Sequence, residues 1–268
     1  MRLARHQAKQ QPASGPVPDA ERPPGADGAS AGAGPSDKRR KKDEGLVGWI
    51  KSLAIAFVMW LILRSTLVAA FHITSGSMEP TLLVGDVLFV NRAIYGGQLP
   101  LIGTGLPGFR QPRRHEIIIF DSVDSVGLTV VKRLIGMPGD TIGMRDNVLY
   151  INGQRQNEPY VVHALPDSVD FADPKMALWQ TRRVLTANRR DYHPTLKNWG
   201  PVVIPPDSFF VMGDNRDDSY DSRYWGFLGR DRVRGKAALI YYSYNPDGVL
   251  PLPVVTAVRW GRLFTRIR

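Results

Sequence analysis

The sequence predicts a mainly β protein: an antiparallel β-sheet domain with an inserted smaller subdomain, preceded by one transmembrane helix and a disordered N-terminal tail. Three observations predict it. One apolar stretch of membrane length follows a run of basic residues. Beyond it the texture changes to short apolar runs punctuated by Gly, Pro and Asp, as strands joined by turns require. Between those runs no long amphipathic helical pattern appears.

Residues 1–45 are the tail. Its first 37 positions are rich in Pro, Ala, Gly, Ser and Gln, and so bury too little apolar surface to offset the entropy of ordering. The tail ends in Lys38-Arg39-Arg40-Lys41-Lys42, the basic flank expected on the cytoplasmic side of a membrane helix.

Residues 46–71 are the expected anchor. Lys51 and Arg64 interrupt it, and the residues between them would rise only about 18 Å as a helix. Leu46 to Leu63 reaches about 27 Å, close to a hydrocarbon core of roughly 30 Å, if Lys51 extends to the headgroups. Trp49 and Trp60 suit the two interfaces. A buried helix of a soluble protein is the first alternative, which the one-sided basic run disfavours. A cleavable secretion signal is the second, because Val68-Ala69-Ala70 has a cleavage-like pattern of small residues. The long tail and the apolar length argue for a retained anchor.

Residues 72–268 form the β-rich domain. Strands are predicted at Val87 to Val90, Ile117 to Phe120, Thr129 to Ile135, Val148 to Ile151, Val202 to Ile204, Phe209 to Met212 and Ala237 to Tyr242. Asn152-Gly153 marks a tight hairpin turn. The more polar, weakly periodic segment over about 154–200 is expected to be an inserted cap. Over 257–268, Trp260, Leu263, Phe264 and Ile267 recur at helical spacing with arginines between them. This predicts a basic amphipathic helix that lies on lipid or docks on the domain.

The 268 residues leave room for one or two domains with a real core. With no cysteine, disulfides, thiol nucleophiles and cysteine-ligated metals are excluded. The net charge of +10 owes half its excess to the run before the apolar stretch. The remaining basic residues are mixed with acids, and no nucleic-acid motif is visible, so no nucleic-acid partner is expected. No metal or other cofactor is expected either. The acids of the loop at 213–223 do not match calcium-loop spacing and alternate with Arg216 and Arg223.

The candidate chemistry lies in three segments. Ser77 follows the apolar stretch within Ser75-Gly76-Ser77-Met78-Glu79-Pro80-Thr81. Gly76 permits unusual backbone geometry and close approach, and Pro80 limits helical continuation. A serine needs a base before it attacks a carbonyl. No Ser-His-Asp pattern stands out, so a lysine is the natural candidate. Lys132 lies in the apolar run Thr129 to Gly136; in an extended chain it shares a face with Val130 and Leu134, while Arg133 points away. Apolar surroundings lower a lysine pKa. The Ser75 hydroxyl and the Ser77 N–H could receive the developing oxyanion. In the third segment, Gly213 to Arg223, Asp221 and Arg223 can pair along an extended strand, and Ser219 could orient the lysine amine.

These segments together resemble the bacterial type I signal peptidases, membrane-bound Ser/Lys proteases. The resemblance rests on Ser-Gly-Ser-Met-x-Pro-Thr at 75–81 and Lys-Arg-x-x-Gly-x-Pro-Gly-Asp at 132–140. It rests also on Gly-Asp-Asn-Arg-Asp-x-Ser-x-Asp-Ser-Arg at 213–223, and on Arg114-His115-Glu116-Ile117 through Phe120. It implies Ser77 as nucleophile, Lys132 as general base, and Ser75 with Ser77 as the oxyanion hole. Ser219, Asp221 and Arg223 would support the site. Phe71, Ile73, Met78 and Leu82 would help line shallow apolar pockets, with Val130 and Val131 on the strand beside the substrate. Such pockets would select small residues, as in Ala-x-Ala. The implied partners are the signal peptides of exported preproteins and the lipids of the cytoplasmic membrane. The tail would be cytoplasmic and the catalytic domain outside. The chain departs from the family in Thr74, where proline is common, in its single anchor, and in lacking the disulfide of some relatives. A non-catalytic, membrane-anchored β module that binds a partner or lipid is the alternative.

Overall fold

The computed structural model describes residues 47–60, 68–96, 108–166, 168–249 and 251–267. Residues 47–60 are helical (α1) and exposed throughout. Among the described residues no helix is long and apolar enough to cross a membrane. Leu46 and 61–67 of the expected anchor lie outside the described residues, as do the tail residues 1–45.

The last part of the anchor assignment, residues 68–71, is corrected. Val68–His72 is strand β1, paired antiparallel with β2 (Asp86–Asn91) from Val68↔Asn91 to His72↔Val87. A backbone whose N–H and C=O groups bond a neighbouring strand cannot also continue a helix. Ala69 and Phe71 meanwhile pack on the core. The β domain thus begins at Val68, and the cleavage-like Val68-Ala69-Ala70 lies within its sheet.

The further strands are β3 (Ile117–Asp121), β4 (Thr129–Gly136), β5 (Thr141–Arg145), β6 (Val148–Ile151), β7 (Gln154–Arg155), β8 (Trp199–Val203), β9 (Ser208–Met212), β10 (Leu228–Gly229), β11 (Val233–Ser243) and β12 (Thr265–Arg266). Among the described residues the larger sheet runs β1-β2-β11-β3-β4-β9-β10, with β12 added on β11. The smaller runs β7-β6-β5-β8, and all the pairings are antiparallel.

The unbroken apolar run of β3 has a simple cause. Alternate residues point to opposite faces of a strand, and here both faces are covered. Ile117 and Ile119 join Ile73, Met78, Leu82 and Val131 in one cluster. Ile118 and Phe120 join Leu134, Phe209 and Val211 in another. The smaller sheet buries a third cluster that includes Ile142, Leu149, Trp199 and Phe210. At the Asn152-Gly153 turn both residues have positive φ, 52° and 77°, as the tight hairpin requires.

The segment over 154–200 does not form a body by itself. Its ends supply β7 and β8 to a sheet whose other strands, β5 and β6, precede it. Its one α-helix, α2 (Pro174–Gln180), starts at Asp173, whose carboxylate accepts the Lys175 N–H at 2.8 Å. From the end of α2, Trp179 Nε1 and Gln180 Nε2 donate to the Arg223 carbonyl at 3.0 and 2.9 Å. The cap therefore buttresses the short helix α3 (Ser222–Trp225).

The expected amphipathic helix over 257–268 is also corrected. The chain makes α4 (Pro253–Thr256), a single 3₁₀ turn at Trp260–Arg262, and then β12. Phe264 adopts a positive φ of 56°, which ends any helix there. Thr265 and Arg266 instead pair with Ile240 and Leu239, and Ile267 packs on the core. Arg259 and Arg262 donate to the Val84 carbonyl and the Asp86 carboxylate at 2.8 and 2.5 Å. Sheet pairing and these contacts outweigh the helical spacing, a local preference of fractions of a kcal/mol per residue.

Candidate active site

Ser77 sits in the 3₁₀ turn Gly76–Met78, entered from an extended Ser75 (φ −137°, ψ 153°). The turn is closed by the Glu79 N–H on the Gly76 carbonyl at 3.0 Å and the Leu82 N–H on the Met78 carbonyl at 2.9 Å. Met78 and Leu82 are wholly buried and fix it to the core below. The Ser75 hydroxyl makes no capping bond to the turn, so it stays available at the surface.

Lys132 lies on β4 directly opposite Ile118 of β3, which is fully buried. The expected face is the observed one: Val130 and Leu134 belong to the same cluster as Ile118. Lys132 Nζ shares a hydrogen bond with Ser77 Oγ, across a sequence separation that no local pattern reveals. Burial pushes the Lys132 amine down from its ordinary 10.5 to about 8. Arg223 pushes the same way, whereas Asp221, Asp218 and Asp214 oppose it.

The loop from Gly213 to Arg223 closes over both groups. Asp221 caps α3 and gathers the Ser219 hydroxyl (2.7 Å), the Gly213 N–H (3.0 Å) and the Arg223 guanidinium (2.9 Å). Burial alone would raise the Asp221 carboxyl; the Arg223 charge and these donors reverse that and hold it below the usual carboxylate range. The expected Asp221–Arg223 pair is present, but on a helical turn rather than an extended strand, because the Asp221 side chain bonds the Arg223 N–H as a cap. Ser219 donates to Asp221; no hydrogen bond from Ser219 to Lys132 occurs among the described residues. Gly213 is where the segments touch. A Cβ there would lie 2.3 Å from Ser219 Oγ and 2.4 Å from the Ser77 carbonyl oxygen.

Arg133, next to the lysine, does point away. Its guanidinium grips the Asp214 carboxylate at 2.7 and 2.6 Å, and Asp214 also accepts the Thr81 hydroxyl at 2.5 Å. Through Asp214 this second buried pair joins the serine segment, the lysine strand and the loop. Sequence reasoning missed Gly213, Asp214 and Asn215 as parts of the site. Their only signal was membership of the quoted motif, since the contacts that tie them to the serine and lysine segments are with Gly76, Ser77, Thr81 and Arg133, far away in the chain.

Beside Ser77 lies a cavity of about 340 Å³ lined by Phe71, Ile73, Ser75, Ser77, Val130 and Val131, together with Leu128, Tyr220 and Trp225. Of the expected lining residues Met78 and Leu82 are not among these; both are buried in the core cluster with Ile73 and Val131. Thr129 to Lys132 of β4 pair with β3 on one edge, whereas β9 pairs only from Arg133 onward. Among the described residues the other edge of this stretch is unpaired and runs along the cavity to the serine. An extended peptide could bond to such an edge. Buried amine, hydroxyl, free edge and apolar cavity together suit acyl transfer on a peptide.

A family model described as signal peptidase, peptidase S26, matches residues 46–242. The chain is 33% identical to the signal peptidase I of Bacillus licheniformis over 78% of its own length and 95% of that protein's. It is 32% identical to the signal peptidase I of Pseudomonas aeruginosa, over 81% and 79%. A solved signal peptidase I from Enterococcus faecalis V583 is 35% identical, covers 47% of this chain and 97% of its own, and has a TM-score of 0.32.

Proposed function

Because the chain belongs to the peptidase S26 family of bacterial type I signal peptidases, we propose that it is a membrane-bound serine endopeptidase that cuts signal peptides from exported preproteins by a Ser77/Lys132 dyad. The observation that carries this reading is the hydrogen bond between Ser77 and a buried lysine whose pKa is lowered to about 8. A lysine with its ordinary pKa would be almost wholly protonated at neutral pH and of no use as a base.

The preprotein lies extended along Thr129 to Val131, and its small side chains enter the cavity beside Phe71, Ile73, Val130 and Val131. Large side chains are rejected because they would displace packed walls, which fits Ala-x-Ala before the cut. Lys132 takes the Ser77 proton as Oγ attacks the carbonyl carbon. The Ser77 N–H and the Ser75 hydroxyl receive the oxyanion. As the intermediate collapses, the C–N bond breaks and the Lys132 ammonium gives its proton to the leaving amine, the new N-terminus of the mature protein. Lys132 then takes a proton from water as the water oxygen attacks the ester; on collapse the Lys132 ammonium returns that proton to Ser77 Oγ, and the signal peptide leaves as a carboxylic acid that ionises in solvent. Asp221, Arg223 and Ser219 hold the loop that covers the lysine.

The anchor in this reading is the apolar stretch before Val68. It places the tail in the cytoplasm and the β domain on the far side of the bacterial cytoplasmic membrane, in contact with lipid. Purified full-length protein in detergent should process an Ala-x-Ala preprotein. Ser77→Ala should abolish processing while melting as the parent does. Undiminished cleavage by that variant would refute the assignment and favour a non-catalytic binding module.

A further inference from the structure

We propose that Asn215 is a positioning residue that turns the Ser77 N–H toward the substrate carbonyl; this rests on the Ser77/Lys132 reading above. The Asn215 side chain donates from Nδ2 to the Gly76 carbonyl at 3.3 Å. Its backbone N–H donates to the Ser77 carbonyl at 3.2 Å. The two carbonyls that bracket the nucleophile are therefore both held from the Gly213 loop. In a trans peptide the C=O and the next N–H point to opposite sides of one rigid plane. The Gly76 carbonyl, which also accepts the Glu79 N–H at 3.0 Å, is held by Asn215 from the loop side, and this drives the Ser77 N–H the other way.

That other side is the substrate side. Ser75 and Ser77 line the cavity, and Asn215 does not. Among the described residues the Ser77 N–H has no carbonyl partner, so the donor is free for a ligand oxygen. The amide orientation of Asn215 is set by chemistry: exchange of its O and N would oppose two acceptors, Oδ1 and the Gly76 oxygen. Asn215 is only 8% exposed, and its Oδ1 has no protein partner. The Nδ2 bond is therefore the one polar contact of this side chain among the described residues.

The 3.3 Å bond is long for an N–H···O contact, and such contacts tighten in transition-state complexes. When negative charge builds on the substrate oxygen, it draws on the Ser77 N–H and polarises the Gly76 carbonyl across the same peptide unit. A more polarised carbonyl accepts more strongly from Nδ2. The contribution of Asn215 therefore grows from ground state to transition state and belongs in kcat rather than KM.

The test uses full-length protein in detergent, with Asn215→Ala and the near-isosteric Asn215→Asp, whose carboxylate cannot donate. Loss of a whole oxyanion donor costs about 100- to 1000-fold in kcat; a misdirected donor should cost about 10- to 100-fold. KM for an Ala-x-Ala preprotein should stay within about twofold. Affinity for a peptide boronate, which forms a tetrahedral adduct on serine, should fall in parallel with kcat. In Asn215→Ala the acid limb of the pH profile should not move, since the neutral side chain makes no contact with Lys132; the new carboxylate of Asn215→Asp should raise it, as Asp214, Asp218 and Asp221 do. Parental kcat in both variants overturns the proposal, as does a displaced acid limb in Asn215→Ala or unchanged boronate affinity beside a fallen kcat. If Asn215→Ala fails to fold, Asn215→Asp carries the kcat, KM and boronate comparison. Ser77→Ala separates the two readings: cleavage by that variant refutes the dyad, whereas an inert Ser77→Ala beside fully active Asn215 variants refutes this inference alone.

Discussion

Replacing Lys132 by Met should stabilise the protein at neutral pH and weaken it in strong alkali. The amine is 4% exposed and faces Ile118, Leu134 and Val130, so the folded state disfavours its charge. Lowering from 10.5 to about 8 corresponds to about 3 kcal/mol. The unfolded chain binds the proton up to about pH 10.5, whereas the folded chain gives it up above about pH 8. The penalty is therefore fully present below about pH 8, shrinks between about 8 and 10.5, and is gone above that. Methionine carries no charge and fills similar space, but leaves the Ser77 hydroxyl without its partner, at about 1 kcal/mol. The variant should thus gain about 2 kcal/mol at pH 7 and lose about 1 kcal/mol at pH 11. Urea unfolding of both proteins in detergent at pH 7, 9 and 11 reads this directly. Stability curves that run parallel across that range would mean that Lys132 titrates normally in the folded protein, and the base assignment would lose its physical support.

Four further outcomes follow from the same geometry. The acid limb of kcat/KM should fall near pH 8, where Lys132 gives up its proton. Asp218→Asn should move that limb to lower pH, because the exposed Asp218 carboxylate raises the lysine; a limb that moves upward contradicts the assigned electrostatics. Gly213→Ala should cut activity and cost about 1–3 kcal/mol, since the new methyl meets the Ser77 carbonyl oxygen and Ser219 at under 3 Å; parental activity and melting would show that the loop need not sit so close. Asp221→Asn should cost about 3–5 kcal/mol by leaving the fully buried Arg223 charge unpaired, as thermal unfolding would register.

The β class was legible because strands announce themselves locally: β3, β4, β6 and β9 each carry an apolar run bounded by turn residues. β1 was hidden. Its Val68-Ala69-Ala70-Phe71 continues the apolar stretch before it, and only pairing with β2 distinguishes strand from anchor. The 260–267 spacing misled in the opposite direction, since Trp260, Leu263, Phe264 and Ile267 fit a helix, yet β11 offered a free edge for Thr265 and Arg266.

The chemistry divides along the same line. Ser77 and Lys132 could be named as candidates from residue type, neighbours and family motif, and the apolar face of Lys132 from strand alternation alone. That alternation is a property of one strand, so the sequence contains it. What the amine touches is not. The meeting of Lys132 with Ser77 and the grip of Asn215 on Gly76 join segments that are distant in the chain. Such contacts depend on strand order and on how closely Gly213 lets the loop approach, and these are decided only when the whole sheet is assembled.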